Sequence, residues 1–180
     1  MMHNLNAIVA ISYRDFTKYL RDKTRVMSSF IFPFIFVGIM GTSLQANVSS
    51  SVGYSFITFT LTGVLAQILF QSTAYAMLRM QDERDEDLTQ EFFVAPISRY
   101  SIILGKIIGG SLIASVEAFG VLLFGLIIGV SFSWSQLLAI LAALPVLCLL
   151  GGAFGMFLMS LIGSRAASNQ IFPMLFFPQF

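Results

Sequence analysis

Arg79-Met-Gln-Asp-Glu-Arg-Asp-Glu-Asp-Leu-Thr-Gln-Glu-Phe-Phe-Val-Ala-Pro-Ile-Ser-Arg-Tyr-Ser-Ile-Ile-Leu-Gly-Lys106 is the densest run of charge in the chain. Long hydrophobic runs flank it on both sides, and that contrast decides the fold. A second charged patch runs from Arg14 to Arg25, and Arg165 stands alone. One formal charge, Glu117, falls inside a hydrophobic run. Two further breaks, Gln45–Tyr54 and Ser131–Gln136, carry no charge at all. Charged and uncharged breaks therefore alternate, as in a chain threaded repeatedly through a bilayer.

Composition supports this reading. Of the 180 residues, 57% are hydrophobic and 11% are charged. A water-soluble domain has too little core to hide that much apolar surface, so lipid is the solvent. No basic stripe offers a nucleic-acid surface. The single cysteine, Cys148, lies in a hydrophobic run and excludes a disulfide framework or a thiolate metal cluster. The N-terminal residues Met1–Val9 lack the basic region and cleavage pattern of a secretory signal. No cofactor or metal ion is implied.

A helix needs about 20 apolar residues to cross the hydrocarbon core. The runs Ser28–Leu44 (short, with Pro33), Tyr54–Leu78, Ile107–Val130 and Leu137–Ile162 are predicted spans. A fifth begins near Ile171 and reaches Phe180 before a full span is complete, so the sequence reads as a C-terminally truncated form of a six-span protein. The fold class expected is an all-α integral membrane protein: an N-terminal interfacial amphipathic helix plus about five visible transmembrane helices of six. Lys and Arg all fall in the N-terminal segment, the 79–106 segment or at Arg165, which places those breaks and the N-terminus in the cytoplasm. Tyr54 and Trp134 mark the outer ends of spans. Asn47-Val48-Ser49 matches a glycosylation sequon, a triplet common by chance.

Residues Leu5 to Met27 read as an amphipathic helix, within a first segment 1–27 that precedes a transmembrane domain 28–180. At 100° per residue, Leu5, Ile8, Val9, Phe16, Tyr19, Leu20 and Met27 share one arc. Arg14, Lys18, Arg21, Asp22 and Arg25 share the opposite arc, with Lys23 as a misfit. Such a helix lies on the cytoplasmic face of the membrane, as a lipid anchor or also as a docking surface.

Within 79–106, the acids come first, where a helix N-terminus favours negative charge. Leu88, Phe92 and Phe93 follow at helical spacing. Pro96 ends that helix, and Ser98 is placed to cap the next one. The segment is either a solvated turn or a short helix lying parallel to the membrane and presented to a protein partner; the two Phe residues behind the acids favour the partner.

The stretch Glu91-Phe-Phe-Val-Ala-Pro-Ile-Ser-Arg-Tyr-Ser-Ile-Ile-Leu-Gly-Lys-Ile-Ile-Gly-Gly110 resembles the signature of the permease subunits of type 2 ABC exporters, the daunorubicin-resistance and polysaccharide-export class. The resemblance covers most of the chain, and its Pro-Ile-Ser-Arg…Leu-Gly-Lys core is its specific part. It implies a permease of the prokaryotic plasma (inner) membrane, paired with a second permease copy, homo- or heterodimeric, and with ABC ATP-binding subunits. It implies that Asp85, Glu86, Asp87, Leu88, Glu91, Phe92, Phe93, Pro96 and Arg99 form or flank a coupling helix that docks in the ATPase groove. Asp87 stands about where the family often has glycine. The cargo implied is hydrophobic or amphiphilic: a drug, lipid or glycan.

Inside the spans, Glu117 lies 11 residues past Lys106, about 16 Å along a helix. A charge at mid-bilayer costs about 3 kcal/mol on insertion scales. Glu117 falls about 20° from Gly110 on the helical wheel, so it faces protein or a cavity, as a packing hydrogen bond or as part of a pathway. Gln67, Gln71 and Tyr75 form an i, i+4, i+8 stripe that Thr60 extends; such a stripe either glues helices or lines a conduit. Gly105-x-x-x-Gly109 and Gly151-x-x-x-Gly155 allow close helix approach, and Pro145 predicts a kink in the fourth span.

No Walker motif occurs, and the one histidine, His3, excludes a Ser/His/Asp set. The chain is therefore expected to be a permease without its own ATPase site. Two alternatives are a membrane scaffold that recruits a soluble partner without transport, and part of a secondary transporter. The latter class usually carries midplane ionisable groups and internal repeats. Glu117 is a single candidate, and no repeat is evident.

Overall fold

The computed structural model describes residues 2–43, 55–85 and 98–161. The described residues are helical, with no strand among them. In chain order they form α1 (Met2–Arg21), α2 (Lys23–Ile35), a π-helical segment (Phe36–Gly41), α3 (Phe56–Asp85), α4 (Arg99–Ile127) and α5 (Trp134–Leu161). Three of these, over Phe56–Met80, Arg99–Ile127 and Trp134–Leu161, are long and apolar enough to cross a membrane. The predicted fifth span lies outside the described residues.

Local chemistry sets the boundaries. The single helix expected over Leu5–Met27 is broken at Asp22, which leaves helical geometry (φ −85°, ψ 85°). Its carboxylate accepts the backbone N–H of Arg25 at 3.1 Å and caps α2. The helix over the predicted span Ser28–Leu44 therefore begins at Lys23, and it is not among the three long and apolar enough to cross a membrane. It carries Pro33 inside α2 and widens three residues later into the π segment. Proline removes one N–H from the helical ladder, and π turns occur where that ladder is disturbed.

α4 starts at Arg99, eight residues before the predicted span, with Ser98 at the N-cap position; the Ser98 side chain makes no cap hydrogen bond, and its carbonyl accepts from Ser101 and Ile102 instead. The far end closes on Gly129, at φ +93°. There the Val130 N–H reaches the Gly125 carbonyl at 3.0 Å and the Gly129 N–H reaches Leu126 at 3.1 Å. This is the Schellman pattern, which needs a residue tolerant of positive φ. α5 opens with half of a capping box, the Ser133 N–H donating to Gln136 Oε1 at 2.9 Å. It runs continuously through Pro145.

α3 is the central helix, packed along both α4 and α5, while α1 lies along α4. Glycines permit the close approaches. A Cβ on Gly155 would stand 2.7 Å from the Ala74 carbonyl oxygen, and one on Gly110 would stand 3.1 Å from Thr73 Cα. The buried core gathers Leu61, Val64, Leu65, Ile68 and Leu69 of α3, Ala114, Ala118 and Val121 of α4, and Cys148 of α5. Phe34 and Phe124 stack over it at 4.3 Å between centroids. The outer faces of α4 and α5 carry exposed Phe119, Leu123, Leu141, Leu149 and Phe157, the side chains a hydrocarbon solvent would cover.

α1 packs on the protein through a face that the apolar arc only partly covers. Leu5, Val9 and Leu20 are exposed, as is Met27 on α2, whereas Ile11, Ser12 and Tyr19 are buried. The reason lies on α4. Gly105 and Gly109 admit Ile11 and Ser12 at close range, and Lys106 draws Asp15 into the interface. α1 runs in the same direction as α4, with Ile8 and Ile11 beside Gly105, Asp15 beside Gly109 and Tyr19 beside Glu117.

Candidate functional site

Two polar contacts fix α1 to the first turns of α4. Ser12 Oγ donates to the Gly105 carbonyl at 2.9 Å. Lys106 Nζ lies 2.8 Å from Asp15 Oδ2, and Arg14 Nη2 lies 2.9 Å from the other carboxylate oxygen. Lys106 is only 3% exposed, so this ion pair is largely shielded from solvent.

About one helical turn past Asp15, α1 ends in a hydrogen-bond cluster centred on Glu117. Tyr19 Oη donates to Glu117 Oε1 at 3.1 Å. Ser72 of α3 donates to Glu117 Oε2. Tyr19 Oη also lies 2.9 Å from Ser29 Oγ of α2. Four helices therefore meet through one carboxyl group. The lipid-insertion cost that the sequence assigned to Glu117 does not describe this setting, because both carboxyl oxygens have partners and a polar cavity adjoins them. Burial, above all other influences, pushes the Tyr19 phenol up to about 12, so it remains a donor at neutral pH. The Arg25 guanidinium stacks over the Tyr19 ring at 5.0 Å.

Beside this cluster lies a cavity of about 370 Å³ between α2, α3 and α4. Gln67, Gln71 and Tyr75 line it from α3 and Glu117 lines it from α4. The structure thus brings together all four polar residues singled out inside the spans. Thr60, expected to extend the stripe, is not among the lining residues.

Sequence reasoning missed the charged members of this wall. Arg79 sits four residues after Tyr75 and continues the 67, 71, 75 stripe by one turn. Arg25, Ser28, Ser29, Phe32 and Pro33 line the opposite wall from α2, again at spacings of three and four. The i+12 position on α3 was the available signal for Arg79. For Arg25 the signal was Asp22, whose capping role moves Arg25 from an interfacial helix to the first turn of α2.

Of the residues that the resemblance assigns to coupling, Asp85 is the last residue of α3, and Arg99 is the first of α4 and exposed. Glu86, Asp87, Leu88, Glu91, Phe92, Phe93 and Pro96 lie outside the described residues. What the structure supplies is the pair of helices they join. α3 and α4 run antiparallel, with Thr73 and Ala76 against Gly110 and Ser72 bonded to Glu117.

Three helices long and apolar enough to cross a membrane mark a multi-pass membrane protein. A family model for the ABC-2 type transporter matches residues 6–180, and the chain belongs to that family. It is a membrane permease component of an ABC transporter, a family whose members associate with an ABC ATP-binding subunit. No curated protein and no solved structure matches the chain.

Proposed function

We propose that the chain is the transmembrane subunit of an ATP-driven exporter, one of a pair of permease copies in the prokaryotic plasma membrane, with six spans in the full arrangement and the N-terminus in the cytoplasm. The 79–106 segment is the receiver. A coupling helix at about Asp85–Phe93 sits in the ATP-binding subunit, and that subunit's closure on ATP displaces the segment.

The observation that carries this reading is the joint packing of α3 and α4. The segment takes in the end of α3 and the start of α4, with residues 86–98 joining them, and Gly110 lets α4 lie directly against α3 at Thr73 and Ala76. A push on the segment therefore moves both helices. Through the Glu117 cluster it also reaches α1 and α2. The wall of the cavity formed by α2 then shifts relative to the wall formed by α3, which is the kind of movement that alternates access to a polar compartment.

The test is reconstitution of the permease with its ATP-binding subunit in proteoliposomes. ATP-dependent movement of an amphiphile across the bilayer, absent without the ATP-binding subunit, is expected. Binding of the soluble subunit with no ATP-dependent transport of any amphiphile would favour a scaffold instead.

A further inference from the structure

We propose that the cavity between α2, α3 and α4 is a binding site for an anionic amphiphile, with Arg25 and Arg79 holding a phosphate-type headgroup and the apolar side chains of the far end receiving the start of its tail. The inference rests on the permease reading only for the orientation of the cavity and the source of the ligand.

Three observations support it. First, two guanidinium groups from different helices line one cavity of about 370 Å³. Guanidinium is the side-chain group best matched to a phosphate, through paired N–H donors. Second, Arg25 Nη2 is buried with no hydrogen-bond partner. A buried donor left unpaired is costly, and a buried cation more so, so the surroundings of Arg25 are incomplete without an acceptor. Third, the two guanidinium groups share one end of the cavity, and the far end is mixed, with apolar side chains beside Gln67 and Gln71. Arg25, Ser28 and Arg79 lie toward the helix ends that flank the charged segments, while Phe32, Val64 and Ile68 lie one to four turns further along α2 and α3. A headgroup would meet the guanidinium end, and the start of a tail would meet the apolar side chains of the far end. Glu117 borders the same space but is already engaged by Tyr19 and Ser72, so its oxygens are committed to the helix cluster.

The same phosphate chemistry could reach this site as a resident inner-leaflet lipid or as the transported cargo. Both are tested on the full permease bound to its ATP-binding subunit in lipid nanodiscs and proteoliposomes. The probe is fluorescent phosphatidic acid, compared with diacylglycerol of the same tails and with inorganic phosphate. Phosphatidic acid is expected to bind at least about tenfold more tightly than diacylglycerol, and Arg25→Gln or Arg79→Gln is expected to remove most of that difference. Arg25→Lys should restore part of it. Inorganic phosphate should compete weakly, because it lacks the tail. Thermal unfolding of each variant shows that it is folded, and Arg79→Gln serves if Arg25→Gln is not. Equal binding of phosphatidic acid and diacylglycerol, or unchanged binding in folded Arg25→Gln and Arg79→Gln variants, overturns the site. Bound probe carried to the opposite leaflet on addition of ATP marks cargo, and bound probe that stays marks a resident lipid; both support the site, and only the first supports export.

Discussion

Tyr19 Oη stands 3.1 Å from Glu117 Oε1, and this one contact ties the N-terminal helix to the interior of the helix bundle. The carboxyl also takes the Ser72 hydroxyl, and Tyr19 adjoins Ser29. Replacing Glu117 by Leu takes the acceptor from the buried Tyr19 hydroxyl, which keeps Ser29, and from the half-buried Ser72 hydroxyl, at about 1–3 kcal/mol in total. Glu117→Gln retains an acceptor oxygen and should cost less. Thermal unfolding in detergent should rank wild type above Glu117→Gln and Glu117→Gln above Glu117→Leu. Equal stability of the two variants would show that the hydrogen bonds contribute little.

The same contact has a pH signature. The Tyr19 pKa is raised to about 12 by burial, above the ordinary tyrosine value of about 10. A raised value means that its contribution to stability is fully present below about pH 10 and is lost as pH rises through about 12. Tyrosinate absorbance in an alkaline titration should therefore include a late-ionising component that Tyr19→Phe removes. A titration in which Tyr19→Phe deletes an ordinary component near pH 10 would contradict the burial of this phenol.

The Asp15–Lys106 pair should behave as a coupled unit. The N···O distance is 2.8 Å and Lys106 is nearly inaccessible, whereas an exposed pair is worth only about 0–1 kcal/mol. A double-mutant cycle with Asp15→Asn and Lys106→Met should return a coupling energy of about 1–3 kcal/mol. A value near zero would mean that α1 is held to α4 by its apolar contacts and the Ser12 bond alone.

Glycine substitutions should separate sharply by position. Ala at Gly155 places a methyl 2.7 Å from the Ala74 carbonyl oxygen, and overpacking of this kind costs about 1–3 kcal/mol or more. Gly63, in the same α3 helix that Gly155 packs against, has nothing within 4 Å of a built Cβ. Gly63→Ala should be neutral or stabilising by up to about 1 kcal/mol. Melting temperatures of the two variants check the contrast.

Much of this arrangement is legible in the residues. The polar stripe of Gln67, Gln71 and Tyr75 and the inward side of Glu117 follow from helical periodicity, which survives inside a bilayer because every span there must be helical. The glycine pairs at 105/109 and 151/155 lie where helices approach, as small residues do in lipid. Other features depend on partners that no local pattern reveals. The buried face of α1 is chosen by Gly105, Gly109 and Lys106, more than eighty residues away in the chain. Asp22 reads equally as one more charge on a polar arc or as a cap, and only the second choice puts Arg25 at the cavity. Arg79 looks like the first charge of a solvated segment, yet it is one turn further along the polar stripe.

The central claim is that the 79–106 segment carries the ATPase stroke into α3 and α4. The most direct measurement is ATP hydrolysis and amphiphile export, taken together, in proteoliposomes that hold the permease with its ATP-binding subunit and a proline inserted or a charge reversed between Leu88 and Phe93. The account predicts normal membrane insertion, export reduced to background, and ATP hydrolysis no longer stimulated by the amphiphile. Unchanged subunit binding and unchanged export in those variants would contradict it.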